Sequence, residues 1–390
     1  MSQDIKLKQK KFFNIPKKTF AVVGIDPLAD KKERIIKNPI ICCGYYVLTF
    51  IFVLACIDFS VKNLDNMNEY TTISVLNQLI IVLWKIAVFW IKRQRICKLI
   101  KDIWQWNENV NAEEFRIIEK IGTKTAMISK WYYLAVGAAG LISLLSPLIT
   151  KLIRLLQGVE GDMELPHQAT YLWNISTPWG YIIAFLWDYI IVNFLFNASV
   201  AIDTLFIWLA SNIIVRFGIL KERFKRAAQQ DVQTITSVII IENIKFHSSI
   251  LDMAQELDAI FGEIIFVKSI VSCTQICFLV FRFMGKDNSL ITISYNFVFL
   301  IAVAMQLFLY CYSGELIKEE SLNVSINVYE SFTWCKLTLE CQKMLQMIML
   351  RSQRCANIQG LFFNLNLSLY LWFFKTAGSL IAVLQTIEDV

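Results

Sequence analysis

Seven apolar stretches set the terms on which this chain can fold. They lie near 39–57, 70–91, 131–150, 179–211, 264–283, 290–313 and 361–387. Each meets the length criterion for crossing a hydrocarbon core of about 30 Å as a helix. With 56% hydrophobic, 13% aromatic and 18% charged residues over 390 positions, the composition departs from that of a soluble globular chain. The reading is an all-α membrane protein with seven transmembrane helices. The first 38 residues carry lysines and no apolar run, so the first span itself is expected to start insertion, with no cleavable signal peptide.

Orientation follows from where the basic residues sit. Thirty of the 38 Lys and Arg fall in the N-terminal segment and the second, fourth and sixth loops. Four fall in the first, third and fifth loops and the C-terminal segment, and Lys85, Lys268, Arg282 and Lys375 lie inside spans. The N-terminus is therefore expected in the cytoplasm and the C-terminus outside. The net charge of +6 is a consequence of that topology and calls for no nucleic acid. None of the ten cysteines falls in an outer loop, which argues against a disulfide framework. Asn174-Ile175-Ser176 is a glycosylation sequon in the third loop, on the side the charges place outside.

The basic segments are amphipathic. Phe12, Phe13, Ile15, Pro16, Phe20, Val22, Gly24 and Ile25 stand among the N-terminal lysines, as expected of a segment lying on the inner membrane surface or on a cytoplasmic helix. Ile96, Leu99, Ile100, Ile103 and Trp104 recur at helical spacing after the second span, and Ile250, Leu251, Ala254, Leu257 and Phe261 before the fifth. The fourth span continues to Arg226 without a proline, about 70 Å as a helix and more than twice a membrane core. Extensions of spans two, four, five and six should thus form a cytoplasmic helical anchor layer. Gly137, Ala138, Ala139 and Gly140 on the third span should let neighbouring helices approach closely.

The last span carries Asn364, Ser368, Lys375, Ser379 and Thr386 at steps of 4, 7, 4 and 7, which keeps them on one helical face. A lysine facing lipid in mid-span costs about 3 kcal/mol or more, so the stripe should face protein or a water-filled cavity. Ordinary close packing of helices is the alternative.

Chemistry-bearing motifs are few. The chain lacks GxxxxGK[ST], GxSxG and HExxH, and its two histidines, His167 and His247, fall on opposite sides of the membrane. Glu160, Asp162, Glu164 and His167 share the third loop, but a lone histidine among scattered acids reads as solvated loop and not as a metal site. Asp188 and Asp203 are about 22 Å apart along one helix, too far for concerted acid–base work, and read as partners of Lys or polar neighbours. No enzyme, cofactor or metal is expected.

The chain resembles the insect odorant receptors, seven-span ligand-gated cation channels with an inside N-terminus. The resemblance is densest in Cys311-Tyr312-Ser313-Gly314-Glu315-Leu316, Ser321, Tyr329, Trp334, Leu350-Arg351-Ser352-Gln353-Arg354, Gly360-Leu361-Phe362-Phe363 and Phe374-Lys375. Leu165-Pro166, Thr177-Pro178-Trp179-Gly180-Tyr181, Asp203-Thr204-Leu205-Phe206, His247 before Ile250-Leu251, and Gly24-Ile25 extend it over essentially the whole chain. Two departures fall in the last helix, where Gly378-Ser379 replaces the usual Tyr-Ser after the lysine and Glu388-Asp389 prolongs the end.

The resemblance implies a single domain divided into a cytoplasmic N-terminal segment (1–38), spans one to six with a ligand pocket (39–313), a cytoplasmic anchor segment (314–358) and a pore helix (359–390). It implies a heterotetramer with the family's co-receptor, in the plasma membrane of olfactory sensory neuron dendrites. Small hydrophobic volatile ligands would open a non-selective path for cations. The family's pocket, in the outer half of the subunit, falls on Ile73, Asn77, Leu144, Tyr181, Phe185, Cys277, Tyr295 and Phe299. Its outer gate falls on Val383, Thr386 and Ile387. The alternative function is a seven-span receptor signalling through a cytoplasmic effector.

Overall fold

The computed structural model describes residues 2–27, 39–62, 70–158, 165–229, 237–284 and 290–388. Among these residues ten α-helices follow in order: α1 Ser2–Phe12, α2 Asn14–Val23, α3 Pro39–Lys62, α4 Tyr70–Glu108, α5 Ala112–Leu156, α6 Pro178–Gln229, α7 Ser237–Met284, α8 Leu290–Ser331, α9 Leu339–Gln353 and α10 Leu367–Glu388. A short hairpin of β1 Gln359–Gly360 and β2 Phe363–Asn364 precedes α10. Helices α3 to α8 are each long and apolar enough to cross a membrane. The 22 residues of α10 span about 33 Å and supply the seventh crossing.

The helices of the basic end are continuations of spans. The 52 residues of α6 form one helix about 78 Å long. Both amphipathic stripes are buried: Ile96, Leu99, Ile100 and Ile103 on α4, and Ile250, Leu251, Ala254, Leu257 and Phe261 on α7. The second loop is shorter than its sequence implies, because α4 ends at Glu108 and α5 starts at Ala112. Span three therefore projects beyond the membrane as well, which the sequence reading did not assign. Phe115 and Ile118 on that extension pack against α1 and α6 with Ile5, Phe12, Val215 and Ile219.

The N-terminal segment packs on protein. Phe13, Phe20, Val23 and Ile25 enter the main core beside Phe89 and Trp208. Gly24 closes α2 at φ 84°, and the amides of Gly24 and Ile25 return to the carbonyls of Ala21 and Phe20. That left-handed cap favours a residue without a Cβ.

Ion pairs lace the outside of this layer. Arg95 on α4 donates two bonds of 2.7 Å to Glu256 on α7, and Lys92 reaches Glu263 and the Ala259 carbonyl at 2.8 Å. Arg223 on α6 meets the buried Glu114 of α5 at 2.8 Å. Arg216 lies over the Trp106 ring at 4.5 Å, a cation–π contact.

The last helix starts later than the sequence reading placed it. Asn364 belongs to the hairpin, so the polar face of α10 begins at Ser368. The turn at Leu361 takes φ 59°, and Gly360 sits so close to Ile265 on α7 that a Cβ would come within 2.9 Å. A helix cannot run through that turn.

Candidate functional site

Five helices converge on one carboxylate. Asp203 on α6 lies 2.5 Å from the Lys85 ammonium of α4 and accepts 2.6 Å bonds from the hydroxyls of Tyr132 on α5 and Tyr310 on α8. Ser199 donates to it at 3.2 Å, and the Gln306 amide of α8 donates to both Asp203 and Ser199. Lys268 on α7 in turn donates to the Gln306 carbonyl. All seven residues are buried. Such a cluster is tolerable in an apolar interior because Lys85 meets the opposite charge of Asp203, hydroxyl and amide donors meet the rest of the carboxylate, and Lys268 meets the Gln306 carbonyl.

Directly above this floor the helices separate. A cavity of about 110 Å³ is walled by Val75, Gln78 and Val82 of α4, by Val136, Ala139, Gly140 and Ser143 of α5, by Val192, Leu195 and Phe196 of α6, and by Tyr295, Phe299, Ala302 and Val303 of α8. Tyr132, Ser199 and Gln306 of the network form its base, and His167 its roof. Outside it, the small residues Gly137, Ala138 and Gly140 leave a surface groove of about 470 Å³ between α5 and α6. Gly140, Val192 and Phe196 border both spaces.

The roof corrects the reading of the third loop. His167 is not solvated: it is 9% exposed, and its Nε2 lies 3.1 Å from Ser143 Oγ. Its backbone amide donates to Asp188 at 3.2 Å, and Tyr171 donates to the same carboxylate at 3.3 Å. Tyr171 and Trp173 pack against Trp187 of α6 and carry the histidine inward. Burial pushes its pKa down to about 4, so the ring is neutral at pH 7. Two aromatics beside a histidine in an outer loop were the signal available in the sequence. Glu160, Asp162 and Glu164 lie outside the described residues, and no group of three metal-ligating side chains occurs among the described ones.

The sequence-derived pocket residues separate into groups. Tyr295 and Phe299 line the cavity, stacked at 5.8 Å. Leu144 lines the outer groove. Cys277 packs with Phe373 and Ala377 of α10. Tyr181 and Phe185 stack on each other at 6.3 Å, away from the cavity wall. Ile73 and Asn77 are half-buried on α4 near its outer end and line neither space. The resemblance assigns these residues to the outer half only, and helical periodicity leaves the rotation of each long helix free, so which of them faces the cavity depends on packing. The floor residues Tyr132, Ser199 and Gln306 were missed because each reads as an ordinary polar interruption in an apolar run.

The seat of α10 is built by α7 and α8. Gly314 of α8 touches the chain at Leu365 so closely that a Cβ would meet its carbonyl oxygen at 2.6 Å. The next residue, Glu315, accepts the Leu367 amide at 3.1 Å, and Asn366 accepts the Leu369 amide at 2.7 Å. Two of the unpaired amides at the start of α10 are thereby satisfied. Asp258 of α7 accepts the Gln359 amide, and Ser321 the Ala356 amide. Phe373 and Ala377 face α7 and α8, whereas Ser368, Lys375 and Ser379 are exposed on the other side. The side chains of Val383, Thr386 and Ile387 lie outside the described residues. Asn174 is exposed, and its Oδ1 accepts the Ser176 amide at 2.9 Å in the turn that starts α6.

Comparison with known proteins places this architecture. Odorant receptor 45a of Drosophila melanogaster is 29% identical over 97% of this chain and 99% of its own length. Odorant receptor 82a of the same species is 23% identical over 88% and 92%. The structure of the insect olfactory receptor OR5 from Machilis hrabei in complex with eugenol superposes with a TM-score of 0.83, covering 98% of this chain and 100% of that one at 16% identity. A second structure of the insect olfactory receptor OR5 from Machilis hrabei gives 0.77. The family described as 7tm Odorant receptor matches residues 66–378, and the chain belongs to that family.

Proposed function

We propose that this odorant receptor is the tuning subunit of a ligand-gated, non-selective cation channel. It binds a small hydrophobic volatile in the cavity above the Asp203 network, and it opens together with the family's co-receptor subunit in the plasma membrane. The observation that carries the reading is the double use of α8. Its outer half supplies Tyr295, Phe299, Ala302 and Val303 to the cavity wall. Val303, Leu307 and Cys311 also pack with Phe373 and Ala377 of α10, and Gly314 and Glu315 seat that helix at its base. A ligand that displaces α8 by a fraction of an ångström therefore acts on α10 through a packed and nearly incompressible contact.

The exposed face of α10 supports a place beside other subunits. Ser368, Lys375 and Ser379 stand off the bundle, where a neighbouring subunit or a water-filled path would solvate the ammonium. Val383, Thr386 and Ile387 would then form the outer gate, while residues 314–358 and the helical layer beneath would anchor the subunits to one another. A mostly apolar cavity with few polar groups suits ligands selected by shape and one or two hydrogen bonds.

The test is co-expression with the co-receptor under voltage clamp, with an odorant panel and no supplied G protein. Fast ligand-dependent current that changes its odorant ranking in Phe299→Ala, at normal surface expression, is the expected result. Current that requires a cytoplasmic effector, or a ranking untouched by Phe299→Ala, would remove the channel or the cavity from the reading.

A further inference from the structure

The cavity's polar groups differ in what they can still offer a guest. At the floor, the hydroxyls of Tyr132 and Ser199 and both amide protons of Gln306 are donated to Asp203 and Ser199. None of these donors remains for a ligand, because one hydroxyl carries one proton and one amide carries two.

At the roof, the decisive group is the tautomer of His167. The ring is neutral, so one nitrogen carries the proton and the other accepts. Nδ1 lies 3.8 Å from Asp188 Oδ2 and has no hydrogen-bond partner among the described residues. Both Asp188 oxygens accept bonds, one from the His167 amide and one from Tyr171. A carboxylate beside Nδ1 favours the proton on that nitrogen and leaves Nε2 bare. Nε2 then accepts the hydroxyl proton of Ser143 across 3.1 Å. With its proton committed to the ring, Ser143 presents only oxygen lone pairs to the cavity.

Resting on the cavity reading above, we propose that Ser143 Oγ is an acceptor selecting ligands with a hydroxyl group, so that the receptor prefers small aliphatic or aromatic alcohols to the ether or ketone on the same skeleton. A hydroxyl at the roof donates to Ser143 and leaves its carbon skeleton against Val136, Ala139, Val192, Leu195 and Phe299. An ether or ketone would set its oxygen against the Ser143 lone pairs with no proton between them. Gln78, whose Nε2 donates to Gln275 Oε1 at 2.7 Å, and Tyr295 border the space from α4 and α8.

The experiment compares dose–response curves for matched sets, each an alcohol with its methyl ether and its ketone, over several chain lengths in cells co-expressing the co-receptor. Wild type should favour the alcohol by about three- to tenfold, the range of a single net hydrogen bond. Ser143→Ala should bring that ratio close to one while leaving the ether and ketone responses within about twofold. His167→Phe frees the serine proton and should shift the ratio toward the ketone. Equal potency across each set in wild type, or an alcohol preference that survives Ser143→Ala, overturns the proposal. If Phe299→Ala still changes the rankings in that case, the cavity stands and only the acceptor falls. If neither Phe299→Ala nor Ser143→Ala changes any response, or if no set elicits current at any length, the cavity does not hold this class and both fall.

Discussion

The two halves of α6 face different solvents, and they are packed accordingly. In the outer half, Ile182, Ile183, Leu186, Tyr189 and Ile190 are exposed on the bundle surface. From Asn197 to Leu220 nearly every residue is buried, polar ones such as Asp203 and Asn212 included. Lipid is as apolar as leucine, so an outer-half side chain loses nothing by leaving the protein surface bare. Toward the aqueous end the same composition must be covered on all sides, and α2, α4, α5, α7 and α8 cover it. The half that is free of this demand is the half that opens a cavity. The cavity thus sits where packing is least obligatory, and the helical layer supplies the cohesion.

The comparison can be tested by equal chemistry in the two places. Phe217→Ala in the layer should cost about 3–5 kcal/mol, since the ring is fully buried among apolar neighbours. Surface expression and thermal unfolding in detergent would register it as loss of folded receptor. Asp203→Ala at the junction of the halves should be of the same size, about 3–5 kcal/mol, because Lys85 and Lys268 would remain buried beside a vacancy. Partial recovery in Lys85→Met/Asp203→Leu would separate the ion pair from packing. No loss in either single variant would mean that cohesion lies elsewhere.

Smaller and shared by both halves is a pH effect. His167 at the roof and His247 in the layer are both held at a pKa of about 4, the first by burial and the second by burial reinforced by Arg351. Both values lie below the unfolded value of about 6.5, so the unfolded chain takes up protons that the folded chain refuses. Their contribution is complete above about pH 6.5 and is lost as pH falls toward 4, by about 3 kcal/mol per ring. Melting temperature against pH should fall over that window, and His247→Gln should remove roughly half of the slope. A flat profile would contradict the burial of both rings.

Phe299→Ala should cost about 1–2 kcal/mol, less than Phe217→Ala, because its ring borders a space already open. Its main effect should be a changed ranking of odorants, whereas Phe185→Ala, on a ring that does not reach the cavity, should leave the ranking intact. Equal stability losses at positions 217 and 299 would dissolve the distinction between the halves. The smallest effect is expected for Asn174→Gln, which should abolish a glycosidase-sensitive mobility shift and change neither stability nor response. A shift that persists would move the modification to another residue.

Much of this architecture was legible in the sequence. The spans follow from the length of apolar runs, and the basic layer from the stripes at Ile96–Ile103 and Ile250–Phe261, because a hydrophobic face at helical spacing has to be covered wherever water surrounds it. Asp203 was legible as a residue in need of a partner. Other features were decided only by packing. The extension of α5 carries Phe115, Ile118 and Ile121 at helical spacing, but what that stripe packs on became visible only against α1 and α6. The rotation of α4, α6 and α8 about their own axes, which turns Phe299 into the cavity and Phe185 away from it, depends on how neighbouring helices interlock. So does the inward fold of the third loop, which places His167 between Ser143 and Asp188. Periodicity fixes which residues share a face and at what depth. Which face looks into a cavity is settled by contacts among residues a hundred positions apart, and no local pattern encodes them.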